Sequence, residues 1–187
     1  MVEKSKRAAV GSRRKPRRVG PGAKRRADEL CRRSLHLQQT GQLGPARDAI
    51  DACLSENPLH PAGLHQLALY LREEGDFARA LKMLEKSVAL DASDARAWNN
   101  LGNLLVDSGG PEQAVARYRE ALKLDRNYVS AHYNLAKAFQ QCGRPTEAVS
   151  HFEAASALLP GEAQIMAGLG AALLEDGRSE EALTQCE

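Results

Sequence analysis

Aromatic residues are scarce in this chain of 187 residues, which has only three Phe, four Tyr and one Trp. This composition argues against a large core of bulky rings and favours helices that pack through Ala and Leu. No run approaches the roughly eighteen apolar residues of a membrane-spanning helix, and the N-terminus lacks the apolar segment of a secretory signal. We therefore expect no membrane association.

Cysteine pairs and histidine clusters are also missing. The four cysteines contain no CxxC spacing, and the five histidines are isolated along the chain. Because these spacings are not typical of a disulfide framework or a zinc site, we expect a reducing compartment, no metal and no cofactor. His60 and His65 straddle a predicted helix start, and Cys53 fits a position for small packing residues. The sequence shows no nucleophile elbow, phosphate-binding loop or catalytic acid pair, so we expect no catalytic residues and no enzyme activity in this chain.

Acidic residues are nearly absent from the first 26 positions, where eleven Lys and Arg accompany the single acid Glu3. With two prolines and three glycines among these charges, residues 1–22 are predicted to be a disordered basic tail. Residues 1–26 favour a weak contact with nucleic acid or an acidic partner, a nuclear import signal in a eukaryote, or a purely solubilising role. The expected location is the cytoplasm, with the nucleus as the eukaryotic alternative.

From residue 27 onward the sequence repeats with a period of 34 residues. A glycine marks each repeat, an alanine follows it by five positions, and a small residue precedes it by seven. A fixed period of this length is the signature of a repeat architecture. The marking glycines are Gly41, Gly75, Gly109, Gly143 and Gly177.

Each repeat has the pattern of two helices. Apolar residues recur at helical spacing on both sides of the glycine, which suits the left-handed position that ends the first helix. Pro111 and Pro145 suit the first turn of the second helix. One such helix pair cannot cover its own apolar face, so the repeats are predicted to stack on one another.

The period resembles the tetratricopeptide-repeat (TPR) family, and its motif residues are present as Trp98, Leu101, Gly102, Ala114, Tyr118 and Ala121. The resemblance implies an all-α fold, a right-handed α-solenoid of five antiparallel helix pairs within residues 23–187. Its units would be 27–60, 61–94, 95–128, 129–162 and 163–187. Because the last unit is truncated, we expect the chain to be a fragment of a longer product.

In this family the first helix of each pair lines a concave groove through the second, fifth, sixth, ninth and thirteenth positions of the unit. Asparagine is disfavoured in helix interiors, yet its amide can donate and accept hydrogen bonds at once. We expect Asn100 and Asn134 to face solvent and hold a partner's backbone, so that replacing both by Ala stabilises the free chain by up to about 1 kcal/mol. The candidate peptide-binding residues are Arg96, Asn99, Asn100, Asn103, Tyr133, Asn134 and Lys137.

The resemblance implies a protein–protein interaction scaffold that binds an extended peptide segment. The asparagine column also resembles the superhelical arm of O-linked N-acetylglucosamine transferases. The alternative is therefore the substrate-recognition arm of an enzyme, of glycosyltransferase or sulfotransferase type, whose catalytic domain is missing from this chain. A solvated helix face that tolerates asparagine is the third hypothesis. The carboxylate clamp that grips chaperone C-termini is rejected, because no fifth position in the units is lysine.

Overall fold

The computed structural model describes residues 19–184, and this part of the chain is built from ten α-helices without a strand. The first helices of the pairs begin 34 residues apart from the second repeat onward, which confirms the predicted all-α solenoid. The helices are α1 Pro21–Gln39, α2 Leu43–Glu56, α3 Pro61–Glu73, α4 Phe77–Leu90, α5 Ala95–Asp107, α6 Pro111–Leu124, α7 Val129–Gln141, α8 Pro145–Leu158, α9 Ala163–Glu175 and α10 Ser179–Thr184.

Consecutive helices pack against each other along the whole series, both within a pair and from one pair to the next. The first helices of neighbouring pairs also meet directly, α5 with α7 and α7 with α9. The main apolar core runs through the stack from Ala68 to Ala182. The solenoid therefore places the odd-numbered helices side by side, and this arrangement positions the candidate site.

The turn after each first helix depends on the repeated glycine. Gly109 has a φ of 81°, which side-chain-bearing residues rarely adopt. The amide of Gly110 donates to the carbonyl of Leu105 at 2.8 Å, and that of Gly109 donates to Val106 at 2.9 Å. This pair of bonds forms a Schellman motif around the left-handed glycine that the sequence predicted, and it satisfies carbonyls that the helix end leaves open.

Close packing explains why a small residue stands seven positions before the glycine. A Cβ added to Gly102 would lie only 2.5 Å from the ring of Tyr118, which is buried in the facing helix α6. Helices α5 and α6 can approach this closely because Gly102 has no side chain. The small residue that recurs at this position of the repeat therefore marks a close contact between the two helices of the pair.

Helix α1 begins at Pro21, so residues 21 and 22 are helical rather than part of a disordered tail. Arg26 donates two hydrogen bonds to Glu56, at 2.7 and 3.0 Å, and therefore belongs to the folded first repeat. The rest of the predicted tail, residues 1–18, lies outside the described residues. Within residues 19–184, no helix is both long and apolar enough to cross a membrane.

Candidate functional site

Six of the seven candidate residues line adjoining clefts on the odd-numbered helices. The largest set borders a cavity of about 450 Å³ between α5, α7 and the start of α9. Asn103, Asn134 and Lys137 also border a cavity of about 200 Å³. Arg96 does not line these clefts; it lies 3.6 Å from its neighbour Asp94 in an exposed ion pair. The candidate residues along the first cavity are Asn99, Asn100, Asn103, Tyr133 and Asn134.

Hydrogen bonds join the odd-numbered helices at a constant sequence separation of 35 residues. We call this set of pairs the interrepeat ladder. Each pair links one repeat to the next, one residue beyond the repeat period of 34. Its members are Cys31–Gln66, His65–Asn100, Arg72–Asp107, Asn99–Asn134 and Gln140–Glu175.

The expectation that Asn100 and Asn134 simply face solvent is wrong. The Nδ2 group of Asn100 lies 2.8 Å from Nε2 of His65, and Nδ2 of Asn134 donates to Oδ1 of Asn99 at 3.1 Å. Asn99 itself is buried, with 3% of its surface exposed. The three asparagines therefore connect successive repeats in the free chain, which offsets their unfavourable helix propensity.

His65 is held between two helices. Its Nε2 accepts from Asn100, so its Nδ1 carries the proton and donates to Asp94 at 3.3 Å. The hydrogen bond from His65 lowers the pKa of Asp94 to about 2. Asp94 also accepts from the amides of Arg96 and Ala97 as the N-cap of α5. One carboxylate therefore caps a helix and fixes the histidine that supports Asn100.

Asn103 joins the two helices of its own repeat. Its Oδ1 accepts from the hydroxyl of Tyr118 at 2.8 Å, while its Nδ2 has no hydrogen-bond partner among the described residues. Burial raises the pKa of Tyr118, so this hydroxyl remains a donor at neutral pH. The bond to Tyr118 thus fixes the amide of Asn103, a residue that lines both clefts, and leaves its donor group unengaged.

The ladder changes character between α7 and α9. Tyr133 occupies the same unit position as Asn99. Its ladder partner, 35 residues further on, would be Gly168, which has no polar side-chain group. The ring of Phe152 fills this place: a Cβ on Gly168 would lie 2.5 Å from it, and Tyr133 meets it edge-on at 5.7 Å. Lys137 lies over Tyr133, with Nζ 5.5 Å from the ring centre. This end of the site is aromatic and cationic.

His132 takes the structural role of Trp98 one repeat later. Each side chain donates to a carbonyl six residues before it, Trp98 at 2.9 Å and His132 at 3.0 Å. His132 also contacts His151, whose pKa falls to about 4 because of burial and the neighbouring His132 and Arg119.

Sequence reasoning missed a cluster within the first repeat, at its border with the second. Cys31, Cys53 and His60 are all buried, and their ligand-type atoms lie within 4.8 Å of one another. Hydrogen bonding by Cys53, and then by His60, lowers the pKa of the Cys31 thiol. The three residues come from α1, α2 and the N-cap of α3, and such separations match no standard metal-binding spacing. Only the packing of the helix pair brings them together.

The fold and the cleft residues define an α-helical repeat protein. Sequence models described as tetratricopeptide repeat match residues 61–104 and 135–187, and one described as TPR repeat matches residues 102–143. Together these matches span residues 61–187, and the chain belongs to the tetratricopeptide-repeat family. No curated protein matches the chain in sequence.

Several solved structures share the fold. MamA superposes with a TM-score of 0.72 at 22% identity, over 85% of this chain and 87% of MamA. PilF of Pseudomonas aeruginosa gives a TM-score of 0.77 at 23% identity, over 88% of this chain and 75% of PilF. YrrB, described as a TPR protein with an unusual peptide-binding site, gives 0.71 at 21% identity, over 85% and 82% of the two chains. At these identities the likeness is one of fold alone.

Proposed function

We propose that this TPR protein is an interaction scaffold that binds an extended peptide segment across α5, α7 and α9. Asn99, Asn100, Asn103, Tyr133, Asn134 and Lys137 form the proposed binding face, with Arg96 at its edge. TPR arrays offer extended binding surfaces of this kind, and YrrB, which shares the fold, is described as having a peptide-binding site. We extend that property to this chain as part of the proposal.

The observation that carries the proposal is that the cleft asparagines are only half engaged. Asn100 and Asn134 use their Nδ2 groups in the interrepeat ladder, and neither Oδ1 has a hydrogen-bond partner within residues 19–184. Asn103 shows the reverse arrangement, with Oδ1 engaged and Nδ2 available. Two acceptors and one donor are thus left unengaged on residues that line the cavity of about 450 Å³. A peptide backbone offers the complementary donors and acceptors regardless of its side chains.

Preorientation lowers the entropy that binding would otherwise cost, because the ladder already immobilises these amides. Apolar neighbours in the same cavity, including Val129 and Ile165, provide room for alternate side chains of the peptide. The lining groups are mainly amides, hydroxyls and apolar side chains, which are suited to binding rather than to proton or group transfer. The comparisons give no support to nucleic-acid contact, so residues 1–26 are not part of the proposal.

The test is selection from a displayed library of random linear peptides, followed by affinity measurements with the selected peptide. Asn103→Asp keeps the acceptor for Tyr118 and removes the Nδ2 donor, so the variant should remain folded and bind more weakly. We expect a loss of about 0.5–1.5 kcal/mol, the net contribution of one hydrogen bond. Lys123→Ala, in an exposed part of α6, is the matched control and should bind normally.

Backbone recognition has a second signature. Methylation of single peptide nitrogens should abolish binding at the one or two positions that donate to Asn100 and Asn134, while many side-chain changes should be tolerated. Selected peptides that bind Asn103→Asp as tightly as the natural chain would contradict the proposal. So would selected peptides whose affinity responds to Lys123→Ala instead.

A further inference from the structure

We propose that Cys31, Cys53 and His60 form a binding site for one Zn²⁺ ion that links the first repeat to the second. Thiolate and imidazole are the ligands that zinc prefers in proteins, and the three donor atoms already lie within 4.8 Å of one another. Bonds of about 2.3 Å to sulfur in tetrahedral geometry place two sulfur ligands about 3.8 Å apart. Inward shifts of about 1 Å at most would therefore form the site.

The surroundings of His60 match those of a metal ligand. Its Nε2 lies 2.9 Å from Oδ1 of Asp28, and metal-bound histidines usually donate their other ring N–H to a carboxylate. Its Nδ1 lies on the side of Cys53: a Cβ placed on Gly63 would be 3.4 Å from Nδ1 and 3.0 Å from the Cys53 sulfur. Nδ1 now accepts the amide of Gly63 at 3.0 Å, so binding would redirect its lone pair from that amide to zinc.

The side chain of Gln66 lies beside this cluster and has an unused acceptor. Gln66 donates from Nε2 to the sulfur of Cys31 at 3.0 Å, and its Oε1 is a buried acceptor without a partner in the described residues. A buried polar atom without a hydrogen bond is uncommon and calls for an unrecorded ligand or water. A half-turn of the Gln66 amide about its last torsion exchanges its two ends and brings Oε1 to the place that Nε2 now holds beside the Cys31 sulfur. From there the oxygen can complete a four-coordinate zinc site, directly or through water.

Charge balance favours a divalent ion over Cu⁺. Two thiolates and a neutral imidazole carry two negative charges, so a divalent cation leaves the set of ligands neutral. Cys31, Cys53 and His60 are at most 7% exposed, and net charge at such a site is costly. Each thiol releases one proton to solvent as its sulfur binds zinc, and neither sulfur is oxidised.

A zinc site would also serve the first repeat, part of which packs apart from the main core. The buried side chains Ala27, Cys31 and Cys53 form a cluster separate from the main core that begins at Ala68. Structural zinc contributes directly to folding where the apolar core is small. Ligands from α1, α2 and the start of α3 would tie this repeat to the rest of the stack.

The experiment uses the full chain, reduced and freed of metal with a chelator, and titrated with Zn²⁺. We expect one Zn²⁺ per chain and a higher melting temperature on binding. Co²⁺ in place of Zn²⁺ should produce sulfur-to-metal charge-transfer absorption. The Gly63 amide resonance should shift, because it loses its bond to His60.

Variants taken from the other repeats keep the fold while removing ligands. Alanine already stands at the unit position of Cys53 in the third repeat, as Ala121, so Cys53→Ala is compatible with the fold. The same holds for Cys31→Ala, because Ala167 stands at the equivalent position of the fifth repeat. His60→Asn retains an N-cap acceptor. Each of the three should lose stoichiometric Zn²⁺ binding while keeping its helical circular dichroism. Asp28→Asn should weaken binding by about 10–100-fold.

The matched control removes the remaining cysteines, Cys142→Ala together with Cys186→Ala, and should bind Zn²⁺ like the natural chain. The proposal is overturned if this control loses the metal, or if the Cys31→Ala and Cys53→Ala variants bind it with unchanged affinity. Stronger binding of Cu⁺ than of Zn²⁺ at the same residues would overturn the charge argument. A natural chain that takes up no Zn²⁺ after reduction would refute the site altogether.

Discussion

Replacing both Asn100 and Asn134 by Ala should destabilise the protein, opposite to the expectation from helix propensity alone. Asn100→Ala leaves the buried Nε2 of His65 without its donor, and Asn134→Ala leaves the buried Oδ1 of Asn99 unpaired. An unsatisfied buried group costs about 1–3 kcal/mol, and the gain in helix propensity returns at most about 0.7 kcal/mol per site. Each substitution should therefore cost about 0.5–2 kcal/mol.

The two bonds share no residue, so the effects should add to about 1–4 kcal/mol in the double variant. Urea unfolding followed by circular dichroism measures this as a lower midpoint with an unchanged slope. Gln141→Ala is the control, because Gln141 is exposed on α7 and has no hydrogen bond among the described residues. Its effect should stay within about 0.5 kcal/mol.

The energy of the hydrogen bond between Asn99 and Asn134 can be measured with a double-mutant cycle. The cycle compares Asn99→Ala, Asn134→Ala and the variant that carries both substitutions. A direct hydrogen bond predicts a coupling energy of about 0.5–1.5 kcal/mol between the two sites. A double Asn100→Ala/Asn134→Ala variant that is as stable as the natural chain, or more stable, would refute the structural role of the ladder. It would restore the view that these amides only face solvent.

Two further predictions concern packing and pH. Gly102→Ala should destabilise the chain by about 1–3 kcal/mol, because its new methyl group meets the ring of Tyr118. A methyl group added at Gly170 would have no heavy atom of the described residues within 4 Å. Gly170→Ala should therefore stabilise the chain by about 0.5–1 kcal/mol in the same unfolding assay. His151 binds a proton more readily when unfolded, since burial lowers its folded pKa from 6.5 to about 4. The free energy of unfolding should therefore fall by about 1–3 kcal/mol between pH 6.5 and 4, allowing for partial exposure of the ring. The fall should be smaller in His151→Met, a substitution that introduces the residue found at the equivalent position of the second repeat, Met83. An equal fall in both proteins would contradict the assignment to His151.

The helices could be predicted from sequence because their signals are local. The glycine period fixed where each first helix ends, and the small residue at Gly102 marked the contact with Tyr118. The interrepeat ladder could not be predicted in the same way. Whether Asn134 reaches Asn99 depends on the axial offset and rotation between α5 and α7, which the repeat period leaves open.

The cysteine cluster shows the same limit more sharply. Cys31 and Cys53 are 22 positions apart in sequence, and Cys53 has a sufficient local explanation as a small packing residue. Their proximity follows from how α1 and α2 pack, and His60 joins them only because it caps α3. Spacing rules for metal ligands describe single turns and loops, so they do not detect a site assembled from three helices.

The ladder also makes the repeats non-interchangeable. The helices recur with the same period, but each junction has its own chemical pair. An imidazole meets an amide between α3 and α5, and two amides meet between α5 and α7. Between α7 and α9 a phenol lies beside a glycine, and the ring of Phe152 occupies the space next to it. A repeat placed out of order would face a mismatched edge with an unpaired polar group or a steric clash. The polar contacts that slightly disfavour each helix therefore encode the order of the array, and they act against register slippage and against pairing of repeats that are not neighbours in the chain.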